Sequence, residues 1–321
     1  MAELEQVAAW LKAAGSVVVI GHLRPDADAI GSVTALVAAL RQRGQRAQGI
    51  VGQDPRFAEN LYTIPGAREL LRGARLPEAD VYVAVDCGSL DRTGLLAEQL
   101  RERCDRLVVI DHHASNPGFG ALDCVVPGAE STTTILYDLF HLMGVEIDTS
   151  IAHSLYAGLV TDTGSFRWGS PRMHTIAADL LNRGVAARRI SADLLDHASA
   201  HDLKMVGTVL AGIDVLHIDG LRLALLVAEH RDVLGHSASA VESLVDFVHS
   251  LDGCQLGVVF KATSPRTWAV SLRSDTLDVS RIATALGGGG HRPAAGYTAV
   301  GSRDEAIDDL IAVLREYSEK A

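Results

Sequence analysis

A chain of 321 residues with 48% hydrophobic content holds enough apolar material for a large core, and at roughly 150 residues per domain it predicts two domains. Its net charge of -11 argues against binding a long nucleic-acid duplex, which draws affinity from many Lys and Arg contacts to phosphates; a small anionic substrate stays open if metal ions supply positive charge. Cys87, Cys104, Cys124 and Cys254 form no C-x-x-C pair and fit a reducing compartment. No apolar run nears the ~18 residues of a membrane span, and the acidic start Met1-Ala2-Glu3-Leu4-Glu5 lacks a basic leader, so a cytoplasmic protein away from membranes is expected.

The β-branched run Val17-Val18-Val19-Ile20, closed by Gly21, predicts a buried strand, and Ala29 to Leu40 predicts the helix after it. Between them His22, Asp26 and Asp28 share one strand-to-helix turn that Pro25 stiffens, while Gly31 lets the helix start pack closely. A lone aspartate at a helix start reads as a cap. A histidine and two aspartates around a proline point instead to a metal site. Arg46 to Val51 predicts a second strand, and Glu69 to Arg75 follows a turn at Pro65-Gly66. Val81 to Val85 predicts a strand ending on Asp86, Leu95 to Arg103 a helix, and Leu107 to Ile110 a strand ending on Asp111-His112-His113. Three strand-like runs thus stop at carboxylates or imidazoles, as expected if parallel strands deliver their ends to one rim. Ser131 caps a predicted helix over 132–143, and a helix over 151–160 leads into Thr161-Asp162-Thr163-Gly164.

From Ser170 to about Leu210 the pattern is mostly helical, with a helix end at Arg183-Gly184 and a more polar stretch from Ser191 to His201. The domain junction is placed here: a first domain over 1–190, a helical linker over 191–210 and a second domain over 211–321. Two apolar runs, 213–218 and 221–228, flank Asp219-Gly220 and predict a hairpin with a tight primed turn. A helix near 240–250, strands near 255–261 and 268–272, a helix near 279–286, a glycine-rich loop, a strand at Tyr297 and a closing helix over 304–317 complete the chain. The predicted fold class is α/β, with an N-terminal parallel sheet flanked by helices and a smaller C-terminal mixed-sheet α/β domain.

His22, Asp26, Asp28, Asp86, His112 and Asp162 form an imidazole and carboxylate set without thiols, which suits manganese, iron or magnesium better than structural zinc. Using all six needs two divalent ions, with manganese the expected metal. Asp86, from the central strand, is the candidate to lie between them, an arrangement that serves metal-assisted phosphoester hydrolysis. Asp86, His112 and His113 are the candidate catalytic residues. A partner is expected for each ligating imidazole, with Asp111 beside His112 and Asp91 near Asp86 as candidates. His113 cannot easily share an ion with its neighbour and is assigned to substrate phosphate. His141, His153, His174, His197 and His217 read as solvated or capping residues. Phe166 and Trp168 are read mainly as packing, with base stacking the alternative.

In the second domain, Gly287-Gly288-Gly289-Gly290-His291-Arg292-Pro293-Ala294-Ala295-Gly296 follows a predicted helix and precedes a strand, so it is no Rossmann fingerprint. Gly288, Gly289 and Gly290 let backbone N–H groups approach an anion, and His291 and Arg292 add donors. Arg273 and Ser274, at a strand end, are placed on the same phosphate.

Taken together, Gly-His-x-x-Pro-Asp-x-Asp-x-x-Gly-Ser, the strand ending in Asp86, Asp111-His112-His113 and Thr161-Asp162-Thr163-Gly164 resemble the ordered motifs of the DHH phosphoesterases. The Gly-Gly-Gly-His-x-x-Ala-Ala-Gly loop resembles their associated C-terminal domain. The likeness runs from about Val17 to Tyr297 and is greatest to the short bacterial oligoribonucleases that also act on 3′-phosphoadenosine 5′-phosphate; similar actinobacterial proteins act on cyclic di-AMP or its linear product. The resemblance implies six metal ligands at His22, Asp26, Asp28, Asp86, His112 and Asp162, with Asp86 bridging. It further implies a phosphate contact at His113, a second domain that grips the substrate through Arg273, His291 and the glycine loop, and a homodimer. Ala27 stands where many relatives have glycine, and Leu23-Arg24 is an uncommon pair there. The expected substrates are short RNA, linear dinucleotides and 3′-phosphoadenosine 5′-phosphate, with cyclic di-AMP a further candidate. A pyrophosphatase of the same metal chemistry is the alternative enzyme, disfavoured by the glycine-histidine loop. A longer recombination-type exonuclease would need an oligonucleotide-binding barrel for which the chain has no room. A non-catalytic nucleotide sensor is the alternative outside enzymes, disfavoured because all six ligands are present.

Overall fold

Val17, Val18, Val19 and Ile20 are each at most 2% exposed because the strand they form is covered on both faces. Alternate side chains enter different cores, Val17 and Val19 one, Val18 and Ile20 the other. A strand buried on both faces is therefore written as an unbroken apolar run, and each such side chain contributes about 1.5–3 kcal/mol by leaving water.

The computed structural model describes residues 2–196, 199–249 and 251–319. Its first part runs α1 (Ala2–Ala13), β1 (Ser16–Gly21), α2 (Ala27–Gln42), β2 (Arg46–Val51), β3 (Leu71–Arg72), β4 (Val81–Val85), α3 (Ala97–Arg101), β5 (Leu107–Asp111) and β6 (Leu122–Val125). It closes with α4 (Thr132–Met143), α5 (Thr149–Asp162), α6 (Arg172–Asn182) and α7 (Ala187–Leu194). These strands form one parallel sheet in the order β3-β2-β1-β4-β5-β6. Strands are added on one side of β1 up to β3 and on its other side from β4, so β1 and β4 meet at a topological switch point, where open parallel sheets place ligands.

The second part runs α8 (Ala200–Leu210), β7 (Asp214–Ile218), β8 (Leu221–Ala228), α9 (His230–Val233), α10 (Ala238–His249), β9 (Leu256–Ser264) and β10 (Thr267–Arg273). It ends with α11 (Val279–Ala285), β11 (Gly289–Gly290), β12 (Ala294–Val300) and α12 (Arg303–Glu319). Its sheet has the order β11-β12-β10-β9-β8-β7 and is mixed, with β8 and β9 parallel and the other pairs antiparallel. Asp219 and Gly220 both have positive φ, 47° and 86°, as the primed turn of the β7–β8 hairpin requires. The α/β class and the contrast of a parallel with a mixed sheet are as the sequence pattern predicts.

The chain divides into two units, Met1–His197 and Ala198–Ala321. Residues 191–210, expected as a linker, fall on both sides of that division. Met205, Val206 and Val209 of α8 pack with Leu226, Leu244 and Val259 in a core of the second unit. His197 and Ser250, which the sequence reading touches, lie outside the described residues.

Local departures have local causes. The helix expected over 95–103 is present but shorter, as α3 over Ala97–Arg101, and is preceded by a 3-10 stretch, Leu90–Leu96, broken at Gly94 (φ 65°, ψ -129°). A side chain at Gly94 would lie 2.4 Å from the Gly52 carbonyl oxygen, so the loop is pressed against the end of β2. The edge strand β6 and the helices α1 and α9 were not among the predicted elements. β6 is short and half-buried, and carries little apolar signal. All four cysteines are free, and Cys87 and Cys124 are buried. No helix among the described residues is long and apolar enough to cross a membrane.

Candidate metal centre

The carboxyl ends of β1 and β4 carry His22 and Asp86 side by side at the switch point. Asp86 has φ 58°, a left-handed conformation that costs a non-glycine residue about 1–2 kcal/mol. The surroundings hold it there: its N–H donates to Ile110 O at 3.0 Å, and Thr132 Oγ1 donates to its Oδ1 at 3.0 Å.

Two imidazoles address this carboxylate from opposite oxygens. His22 Nδ1 lies 2.9 Å from Leu23 O, which turns Nε2 inward, 3.5 Å from Asp86 Oδ2 and 3.5 Å from Asp26 Oδ2. His112 Nδ1 lies 3.3 Å from Ala129 O, and its Nε2 lies 3.6 Å from Asp86 Oδ1, 3.1 Å from Asp162 Oδ2 and 4.0 Å from Asp28 Oδ2. Besides a group of Asp86, Asp111 and His113, two groups hold their ligand atoms within 4.8 Å of one another at the imidazole Nε2 atoms, His22 with Asp26 and Asp86, and Asp28 with His112 and Asp162. Asp86 faces both. All six residues expected as ligands are thus brought together.

Asp26 both caps and faces the cluster. Its Oδ1 accepts from Ala29 N–H at 3.0 Å at the start of α2, while Oδ2 looks toward His22. Asp28 is fully buried and accepts from the Thr132 and Thr133 N–H groups at 2.8 and 3.1 Å, so it docks on the positive end of α4. α5 brings Asp162 as its last residue and passes close under the site at Gly158, where a Cβ would lie 2.3 Å from Asp28 Oδ1.

The donor set fits a divalent cation. Most separations among the ligand atoms, 3.5–4.0 Å, are too long for hydrogen bonds, and the atoms are nitrogen and carboxylate oxygen. The charges also call for one. Burial, then the nearby Asp86 and Asp162, push the Asp28 carboxyl well above its ordinary range, and burial raises Asp162 as well. Burial opposes charge on the rings, but the carboxylates outweigh it and push His22 up to about 10 and His112 up to about 11. Burial would raise Asp26 too, yet His22 holds it below the carboxylate range. Such a cluster balances itself either by holding protons or by holding cations.

Two expected partners are reassigned. Asp111 serves His113, not His112: its Oδ1 lies 2.8 Å from His113 Nδ1, and its Oδ2 accepts from Asn116 Nδ2 at 2.6 Å. Asp91 is 89% exposed and pairs with Arg101 at 3.8 Å, away from Asp86. The main-chain oxygens of Leu23 and Ala129 do what those carboxylates were expected to do. The His113 ring sits edge-on to His112 with centroids 4.9 Å apart and remains 29% exposed. Phe166 packs against Tyr156 and His174, and Trp168 Nε1 donates to Asp162 O at 2.7 Å, so both aromatics support the turn that carries Asp162.

Thr132, Asn116 and Gly158 escape a reading by motif. Thr132 belongs to the run Ser131-Thr132-Thr133-Thr134, which signals a helix start; nothing in the run says which hydroxyl reaches Asp86. Asn116 ties Asp111 to Cys87 O at 3.0 Å, and only the strand order brings the two together.

In the second unit, Arg273 ends β10 opposite Ala294, and His291 N–H donates to Ala294 O at 2.8 Å, so both residues adjoin one point of the sheet edge. Arg292 is exposed beside them. The glycines do more than free a loop. Gly289 and Gly290 pair with Gly296 and Ala295 as a small strand, and a Cβ at Gly288 would lie 2.1 Å from Gly296 O. Ser274, expected on the substrate, is instead 3% exposed. Its hydroxyl donates to Gln255 O at 2.6 Å and accepts from the Leu277 N–H at 2.9 Å, which commits it to the turn before α11.

Comparison with known proteins agrees with this layout. Residues 16–159 match the model of the DHH family, N-terminal domain, and residues 226–320 that of the DHHA1 domain. The bifunctional oligoribonuclease and PAP phosphatase NrnA of Thermus thermophilus is 34% identical over 323 residues, covering 98% of this chain and 94% of its own. The NrnA of Bacillus subtilis is 26% identical, covering 92% of this chain and 94% of its own. The crystal structure of an exopolyphosphatase-related protein from Bacteroides fragilis superposes with a TM-score of 0.86 at 25% identity, covering 99% of this chain and 97% of that one. With both domain models matched in order and near-complete coverage at 34% identity, the chain belongs to the DHH family of phosphoesterases.

Proposed function

We propose that the chain hydrolyses very short oligoribonucleotides and linear dinucleotides to mononucleotides and removes the 3′-phosphate of 3′-phosphoadenosine 5′-phosphate, using two divalent ions, manganese foremost. The observation that carries this reading is the Asp86 carboxylate, whose two oxygens lie 3.5 and 3.6 Å from the Nε2 atoms of His22 and His112. We assign His22, Asp26 and Asp86 to one ion and Asp28, His112, Asp162 and Asp86 to the other. Ions held there would polarise phosphoryl oxygens and lower the pKa of water, which is the chemistry phosphoester hydrolysis needs. The chain's own residues then orient and hold. Thr132 fixes the rotation of Asp86, and the Leu23 and Ala129 carbonyls keep both imidazoles aimed inward. Burial opposes charge on His113, but Asp111 and Asp86 favour its protonated form, which suits it to donate to a phosphate oxygen.

We assign the chemistry to the first unit, and Arg273, Gly288, Gly289, Gly290, His291 and Arg292 of the second unit to contacts with substrate phosphate. The substrate class is supported by the Thermus relative, named for oligoribonuclease and PAP phosphatase action, and by the net charge of -11, which suits a substrate with few phosphates in the cytoplasm.

The test is product analysis of manganese-loaded protein with a diadenylate, 3′-phosphoadenosine 5′-phosphate, cyclic di-AMP and pyrophosphate in parallel, beside Asp86→Ala. Release of AMP from the first two, falling by at least about 10³-fold in the variant, is the expected result. Phosphate from pyrophosphate alone would overturn the substrate class, and nucleotide binding without turnover would overturn the enzymatic reading.

A further inference from the structure

Beside the carboxylate cluster stands one cation whose position is built with care. Arg92 is exposed, yet its main chain is clamped: its carbonyl oxygen accepts from Leu23 N–H at 2.8 Å, and its own N–H donates to Ser89 O at 3.1 Å. The next residue, Thr93, is fully buried with Oγ1 donating to Leu90 O at 2.6 Å, and Leu95 N–H donates to Gly52 O at 2.9 Å. The loop is therefore fastened both to the exit of β1 and to the end of β2. It delivers the Arg92 guanidinium to the outer edge of His22, Nη2 lying 3.2 Å from Nδ1.

That contact engages at most one of the five guanidinium N–H donors, and the others face solvent. His22 Nδ1 has one proton or one lone pair to offer, and Leu23 O, at 2.9 Å, takes the proton in the form whose Nε2 faces the carboxylates. Arg92 has no acceptor group, so in that form donor faces donor. Among the described residues no carboxylate pairs with it either, although its neighbour Asp91 lies within reach of Arg101. An arginine fixed at the backbone, beside a candidate metal centre and with donors open to solvent, is suited to an anionic oxygen that arrives with the substrate.

We propose that Arg92 binds a non-bridging oxygen of the phosphate under attack, as a fork donor that selects phosphoester groups at this site. The inference rests on the phosphoester reading above and adds to it a residue outside the ligand set. Arg92 touches substrate in this account and does not act through His22.

The experiment compares wild type with Arg92→Gln and Arg92→Lys by three measurements: manganese affinity by calorimetry, AMP affinity of the manganese-loaded protein, and kcat/KM on a diadenylate. Arg92→Gln is expected to keep manganese affinity within about twofold, lose at least about tenfold in AMP affinity and lose about 10²-fold or more in kcat/KM; Arg92→Lys should recover part of both losses. Unchanged AMP affinity and kcat/KM in Arg92→Gln would overturn the proposal. So would a fall in manganese affinity with AMP binding intact once the ion is saturating, since Arg92 would then serve His22. If Arg92→Gln fails to fold, the lysine variant decides, because loss of the fork alone should weaken AMP binding. AMP binding through Arg92 without turnover of any phosphoester would leave the assignment standing and remove the functional reading instead.

Discussion

At the level of single side chains, the site is a contest between protons and cations for the same atoms. In the ion-free chain, burial would lower His22 and His112, but the neighbouring carboxylates raise them from 6.5 to about 10 and about 11. A ring whose folded pKa is raised contributes stability that is fully present below pH 6.5 and is lost as the pH climbs through 10 to 11. A bound ion needs the neutral ring, so binding must expel the proton and manganese affinity should rise with pH between about 6 and 9, where the ion-free rings still carry it. Calorimetric titration of manganese in buffers of differing ionisation enthalpy should detect this proton release at neutral pH. Binding without proton release would mean that the rings are already neutral when the ion arrives.

Helix packing decides whether these side chains meet. α2 crosses α5 at Gly31, where a Cβ would lie 2.4 Å from the Ser154 carbonyl oxygen, and again beside Thr34, whose Oγ1 donates to Ser154 Oγ at 3.1 Å. α5 then reaches Asp28 and Thr133 at Gly158. The two glycines make similar demands on space and different demands on function. Gly31→Ala should destabilise the fold by about 1–3 kcal/mol through overpacking against backbone and leave manganese affinity of the folded protein nearly unchanged. Gly158→Ala should cost a similar amount and also weaken manganese binding, because the new methyl displaces Asp28. Thermal melting with manganese titration on both variants checks the contrast; equal manganese affinity in the two would show that Asp28 does not depend on the α5 approach. The sequence pattern predicts α2, α4 and α5 and the Ser131 cap, but not that Asp28 caps a helix 104 residues away.

For the whole chain, each unit has cores of its own, the first around β1 and α2, the second around β9 and β10. Because the proposed ligands all lie in the first unit, manganese at about 100 times its Kd should stabilise that unit by about 2.7 kcal/mol for each ion bound and leave the second unchanged. Differential scanning calorimetry with and without chelator is expected to show one transition moving and one fixed; a single transition that moves as a whole would show that the units unfold together. The linear pattern of residues is enough to place His22, Asp26, Asp28, Asp86, His112 and Asp162 at strand and helix ends, because period and turn chemistry are written into near neighbours. It also suffices for the hairpin at Asp219-Gly220, where two left-handed residues are needed in a row. Partners across the fold are another matter. That Asn116 reaches Cys87 O, that Thr132 steadies Asp86, that Ser274 is spent on Gln255 O, and that Arg92 arrives beside His22 follow from strand order and helix crossings, which join residues distant in the chain. A hydrogen-bond donor in sequence carries no mark of its acceptor, and only the packed structure brings one within 3 Å of the other.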